Sequence, residues 1–169
     1  MSVEVIVSTA RPKREEPIIR IPALGLTVRV RFPFEPEKAQ STVIETTNAA
    51  GFGPPLYRRA ESETFEIVTG RYLFEVDGRR FVARRGDLVR VPAGASRAFV
   101  NVTGTGARQQ VIIEPGIDAV QFFNELAVLL DGRGVDRAEL HRFGKRWGLA
   151  LLGPSLKVAR SEFDDGDGG

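Results

Sequence analysis

The chain has no cysteine, one histidine and one tryptophan in 169 residues. Without cysteine there are no disulfides and no thiolate metal ligands. A single histidine, His141, cannot make the multi-imidazole cluster on which many transition-metal sites depend. No apolar run approaches the ~20 residues of a membrane-spanning helix. The N-terminal Met-Ser-Val-Glu-Val-Ile-Val-Ser lacks the basic head and apolar core of an export signal. The cytoplasm is therefore the expected location, with no membrane partner. Lysine is also scarce. Of 24 cationic residues only four are Lys and 20 are Arg, and arginine offers planar, bidentate contacts to carboxylates and phosphates. The net charge is +2, with acidic and basic residues interspersed as in Arg-Pro-Lys-Arg-Glu-Glu at 11–16. Nucleic-acid binders concentrate cations on one face, so nucleic acid is not an expected partner.

What is present is a long succession of short β patterns. Residues 3–8 and 17–21 form short strands around a proline-containing turn, and 26–32 alternates through Leu26, Val28, Val30 and Phe32 until Pro33 and Pro36 break it. Residues 42–47 and 63–69 give further strands. Residues 71–76 and 79–84 flank Asp77-Gly78, a strong signal for a two-residue hairpin. Strands at 87–91, 97–102 and 109–114 follow, each set off by Gly or Pro. Such spacing indicates an all-β sandwich or barrel. From residue 116 the apolar period becomes helical, through Ile117, Val120, Phe123, Leu126 and Leu130, with Asp118 near the start and Gly132 as terminator. A second helix starts at Asp136 with a capping box to Glu139, places Leu140, Phe143 and Trp147 on one face, and ends at Gly148. Residues 149–154 form a short strand or an anchoring segment. The expected organisation is N-terminal strands at 1–35 as a candidate dimer arm, a barrel core at 36–115, C-terminal helices at 116–160 and a disordered acidic tail at 161–169.

The stretch from Gly51 to Asn101 carries the chemistry. Tyr57, Arg59, Glu63, Phe65 and Ile67 are all odd-numbered, so a locally extended chain points them to one face; Arg97, Phe99 and Asn101 share a face by the same rule. Arg58 then faces outward, His141 and Arg142 lie on a helix surface or interface, Glu61 and Glu66 are solvated, with Glu61 the second choice after Glu63 for a pocket acid, and Tyr72, Phe74 and Val76 are packing residues. The spacing is similar to the two signature motifs of the cupin superfamily. The first, G-x5-H-x-H-x3-E-x6-G, is matched by Gly51, Tyr57, Arg59, Glu63 and Gly70. The second, G-x5-P-x-G-x2-H-x3-N, is matched by Gly86, Pro92, Gly94, Arg97 and Asn101. The Gly-Pro-Pro before Tyr57 and the apolar helix after the last strand resemble small single-domain bacterial cupins. The resemblance implies a double-stranded β-helix, or jelly-roll barrel, and a homodimer.

In metal-bearing cupins three histidines and the glutamate hold the ion. Here only Glu63 survives, and Tyr57, Arg59 and Arg97 stand at the histidine positions. A guanidinium offers donors only and a permanent charge. At about 5 Å and an effective dielectric near 20, each would cost a divalent ion about 6 kcal/mol. The metal site is degenerate and no cofactor is expected. The expected function is binding of a small carboxylate or phosphate by Tyr57, Arg59, Glu63 and Arg97, with the two arginines as the clamp. One alternative is a cupin enzyme, either an atypical metal-dependent dioxygenase or a metal-free isomerase in which Glu63 is the base and Tyr57, its pKa lowered by the arginines, the acid. The other is a structural cupin whose pocket is filled by an inert ion pair.

Overall fold

In the strand Thr42–Asn48 every second side chain is buried, and the same alternation runs through Ala107–Glu114. Two such faces need a common interior, and this sets the architecture. The computed structural model describes residues 15–32, 41–132 and 134–157. The strand expected at 3–8, the breaks at Pro33 and Pro36 and the tail at 161–169 lie outside them. The strands are β1 (Ile18–Ile21), β2 (Leu26–Phe32), β3 (Thr42–Asn48), β4 (Pro55–Arg59), β5 (Ser62–Thr69), β6 (Arg71–Val76), β7 (Arg79–Arg84), β8 (Leu88–Val91), β9 (Ser96–Asn101), β10 (Ala107–Glu114) and β11 (Leu149–Ser155). They form two antiparallel sheets, ordered β1-β2-β3-β10-β5-β8 and β11-β4-β9-β6-β7. Helices α1 (Ala119–Leu129) and α2 (Arg137–Trp147) fall between β10 and β11. This is a jelly-roll arrangement with C-terminal helices. No helix among the described residues is long and apolar enough to cross a membrane.

The chain does not run straight from Tyr57 to Ile67. It leaves one sheet at Arg59 and joins the other at Ser62, turning at Ala60 and Glu61. The corner is pinned by the Ala60 amide, which donates to the Gly148 carbonyl at 2.9 Å, and by the Gly94 amide, which donates to the Arg59 carbonyl at 2.9 Å. Tyr57 and Arg59 therefore enter the interior from one sheet and Glu63 from the other. Turn chemistry fixes the remaining geometry. Asp77 and Gly78 both adopt positive φ, 47° and 81°, as a type I′ hairpin requires. Asn101 donates to the carbonyls of Asn48 (3.0 Å) and Thr105 (2.7 Å) and accepts from the Thr103 amide (2.8 Å), tying the end of β3 to the β9–β10 loop. At Gly53 a Cβ would collide with the Phe99 carbonyl oxygen.

The helices begin where the capping residues place them. Asp118 accepts from the Gln121 amide, and Asp136 accepts from the amides of Ala138 and Glu139. The first helix ends at Leu130, ahead of the expected Gly132, while Gly148 closes the second with φ 64°. Glu125 joins the two: it accepts from Trp147 Nε1 and Arg146 Nη2, each at 2.9 Å. Residues 149–155 are a strand, with Leu149 paired to Arg59 and Leu151 to Tyr57. The helical segment is thus docked beside the strand that carries both residues.

Inside the barrel, Phe65, Phe74 and Phe99 meet with ring centroids 5.3–5.4 Å apart. Tyr72 packs on this group and donates to Asn48 Oδ1 at 2.9 Å. The aromatics fill one part of the interior. The rest stays open.

Candidate functional site

The open part is a cavity of about 310 Å³. Phe65 and Phe99 form part of its wall from the barrel, and Phe122, Phe123 and Leu126 from α1 with Phe143 from α2 close it from outside. The exposed residues Val135 and Leu151 sit on its rim. The α1–α2 hairpin is therefore a wall of the cavity. Its apolar periodicity was legible, but nothing in the period says which surface it covers.

Against this apolar lining stand a few polar groups. Tyr57, Arg59 and Glu63 all line the cavity. Glu63 Oε1 accepts from Tyr57 Oη and from Arg97 Nη1, each at 2.8 Å, and Oε2 accepts from Arg59 Nη1 at 3.5 Å. The structure thus brings all four expected residues together around one carboxylate. It does not place them alike. Arg97 is 0% exposed and is not on the cavity wall. Its Nε donates to the Ala95 carbonyl (3.2 Å) and its Nη2 to the carbonyls of Pro92 and Ala95 (3.1 Å each). Its Cζ lies 5.5 Å from the Tyr57 ring centroid. With its fork committed to Glu63 and two carbonyls, Arg97 is the internal counter-ion of Glu63. The β8–β9 turn at Pro92–Ala95 supplies the carbonyls that fix it.

Arg59 is different. It is 5% exposed, its Nε donates to Glu61 Oε2 at 3.1 Å, and its Cζ lies 5.6 Å from the Phe122 centroid. Glu61 is therefore a half-buried partner of Arg59 rather than a solvated residue, because the inter-sheet corner turns it back toward the guanidinium. Arg59 Nη2 is buried with no hydrogen-bond partner among the described residues. Burial alone would lower the Arg59 pKa, but Glu63, Tyr57 and Glu61 outweigh it and hold the group above its ordinary value. The cation is permanent.

For Tyr57 the balance runs opposite to the expectation of an acidified phenol. Burial, then the negative charge of Glu63, push its pKa well above the tyrosine range, and the lowering by Arg59 and Arg97 does not offset them. Burial also raises Tyr72. These are the two tyrosines of the chain. An unfolded tyrosine ionises near pH ~10. A raised folded pKa therefore gives stability that is complete below that pH and is lost as pH climbs above it. On alkaline titration, phenolate absorbance should appear in one cooperative step together with loss of near-ultraviolet circular dichroism. A tyrosine ionising near pH ~10 in protein that remains folded would contradict this.

The residues at the histidine positions do not fit the metal of metal-bearing cupins. The lone carboxylate, Glu63, has both oxygens engaged by donors, and two of those donors are guanidinium ions. Among the described residues no group of three or more His, Cys, Asp or Glu could hold a metal ion. His141 is exposed on α2, as is Arg58 on β4. Two polar residues went unnoticed in the sequence: Thr46, on the cavity wall, and Gln109, its cross-strand partner, whose inward parity on β3 and β10 was the available signal.

Residues 44–113 match the family described as "Cupin domain". No curated protein matches the chain. Solved structures share the fold. An RmlC-like cupin from Shewanella frigidimarina superposes with a TM-score of 0.55 at 19% identity, over 64% of this chain and 91% of that one. The cupin domain of Schizosaccharomyces pombe Cnp3 gives 0.51 at 16%, over 64% and 74%. A Streptomyces PAC13 variant solved with uridine gives 0.55 at 13%, over 88% and 90%; Pac13 is described as a nucleoside dehydratase.

Proposed function

Because the chain belongs to the cupin superfamily, we propose that its barrel is a receptor for a small anionic molecule with an apolar body. One observation carries this reading: Arg59, a buried and permanent cation on an apolar cavity wall, has an Nη2 without a partner. A buried N–H left unpaired costs about 1–3 kcal/mol, more on a charged group. A ligand carboxylate or phosphate oxygen would remove that cost with a charge-assisted bond. The surrounding phenyl rings favour a ligand whose remaining surface is apolar. Glu63 and Tyr57 shape the polar end, and Arg97 holds Glu63 in place.

The test is thermal shift and calorimetry with 3-phenylpropanoate, 3-phenylpropan-1-ol and inorganic phosphate. At about 100 times its Kd the acid should add about 2.7 kcal/mol to stability, and the alcohol, with the same body and no charge, far less. No response to any member of a wide anion panel would favour an inert pocket. A second reading, acid–base chemistry, draws on the 2.8 Å Tyr57–Glu63 hydrogen bond at the cavity wall and on the fold shared with a nucleoside dehydratase. Against it, the raised Tyr57 pKa makes the phenol a poor acid, and both Glu63 oxygens already accept from donors. The proposal includes a homodimer, which rests on family likeness; sedimentation as a monomer would refute it.

A further inference from the structure

The cavity has a second polar end. Thr46 is 6% exposed and lines the cavity, and its hydroxyl has no hydrogen-bond partner in the protein. Gln109 is 0% exposed, and neither its Nε2 nor its Oε1 has one. The two are cross-strand partners on β3 and β10. Gln109 is not itself on the cavity wall; it shares its inward face with Val111, two residues along, which is. Three orphan polar atoms thus belong to two directly paired inward positions, while Asn48, the neighbouring polar residue of the wall, is satisfied by Tyr72. Satisfaction is the rule for such groups, and an isolated cluster of exceptions calls for a cause. Packing supplies none, because Val and Met would fill the same space without the desolvation.

Register gives the distance to the first polar end. Glu63 is level with Ile113 on β10. Gln109 lies four residues further along the strand, about 14 Å at 3.4 Å per residue. Phe65, Val111 and Ile44 form the apolar row between the two ends. Subtracting a hydrogen bond of about 2.9 Å at each end leaves about 8 Å between the ligand's two polar groups.

We infer that the ligand is bipolar: an anion at Arg59, a flat or slender apolar body of about 8 Å, and a hydroxyl, carbonyl or amide that enters at Thr46 on the wall and reaches Gln109 beside it. This rests on the anion-binding reading and adds the far-end recognition that gives it specificity. A hydroxyl can donate to Gln109 Oε1 and accept from Gln109 Nε2 or Thr46, so one group suffices for the cluster. The rejection of ligands lacking it follows from the same physics, since those leave the cluster unpaired.

A matched pair of acids tests this: 3-phenylpropanoate and 3-(4-hydroxyphenyl)propanoate, titrated by calorimetry. An apolar far end would disfavour the hydroxyl, which must be desolvated. The inference requires the opposite sign, with the hydroxylated acid bound about tenfold more tightly by wild-type protein. In the Thr46→Val/Gln109→Met double variant the preference should vanish or reverse, while the parent acid keeps its affinity. If the parent acid binds wild type as tightly as the hydroxylated one, or more tightly, the bipolar ligand is wrong and the anion reading stands. If neither acid binds, both are wrong. The decisive comparison uses wild-type protein, so it does not depend on how the variant folds.

Discussion

Replacing Glu63 with leucine should cost the fold about 3–5 kcal/mol, the range found when one partner of a buried ion pair is removed. The reason lies in Arg97. It is 0% exposed, and Glu63 is its only anionic partner among the ion pairs of the described residues. Without Glu63 the guanidinium keeps the carbonyls of Pro92 and Ala95 but loses its counter-charge. Tyr57 Oη loses its acceptor at the same time. For a chain of this size the loss corresponds to a fall in Tm of about 10 °C, and urea melts should show a lower midpoint at unchanged slope. The Arg97→Met change alone should be milder, because Glu63 retains Tyr57 and Arg59. The informative variant is the double one. If the pair acts as a unit, Glu63→Leu with Arg97→Met recovers at least about 2 kcal/mol relative to the sum of the single losses. Strict additivity would show that the two charges are independent, and Arg97 would need another explanation.

The two residues differ in how legible they were. Fixed turn positions made the barrel readable: Gly51, Gly70, Gly86, Gly94, Pro92 and Asn101 sit at offsets that only certain corners satisfy, and Asn101 does tie the end of β3 to the β9–β10 loop. The hairpin at Asp77-Gly78 follows from local chemistry alone. Parity placed Tyr57, Arg59 and Glu63 in the interior, although the locally extended run it assumed is interrupted by a corner. The corner at Ala60 and Glu61 takes two residues, which preserves the odd-numbered face while moving it to the other sheet. What parity cannot give is depth. Arg59 and Arg97 look equivalent as histidine replacements, yet one lines the cavity and the other is sealed behind it. That difference depends on the Pro92–Ala95 turn and on the docking of α1, both set by tertiary packing. The polar far end was missed for a related reason. Thr46 and Gln109 matter only because they face each other across strands 63 positions apart in sequence.

Substituting Arg59 should separate ligand binding from stability, and this decides whether the cavity has a purpose. Among the described residues Arg59 is the one cation on the cavity wall. A hydrogen bond to a charged group is worth about 1.5–3 kcal/mol, so Arg59→Leu should weaken 3-phenylpropanoate binding about 10- to 100-fold. Its effect on folding should be small and of either sign. The native residue has an unpaired Nη2, a long 3.5 Å contact to Glu63 and one 3.1 Å bond to the half-buried Glu61, so desolvation offsets most of what its pairs contribute. Glu63 keeps Arg97 and Tyr57 after the change, unlike the reverse deletion. Arg59→Lys should recover part of the affinity, since it restores a charge but not the fork. A merely structural arginine predicts something else: Arg59→Leu would lower Tm nearly as far as Glu63→Leu, and acid binding would be absent from the start. The combination of lost affinity and retained stability is what a site predicts, because a residue kept at a folding cost needs a role beyond folding.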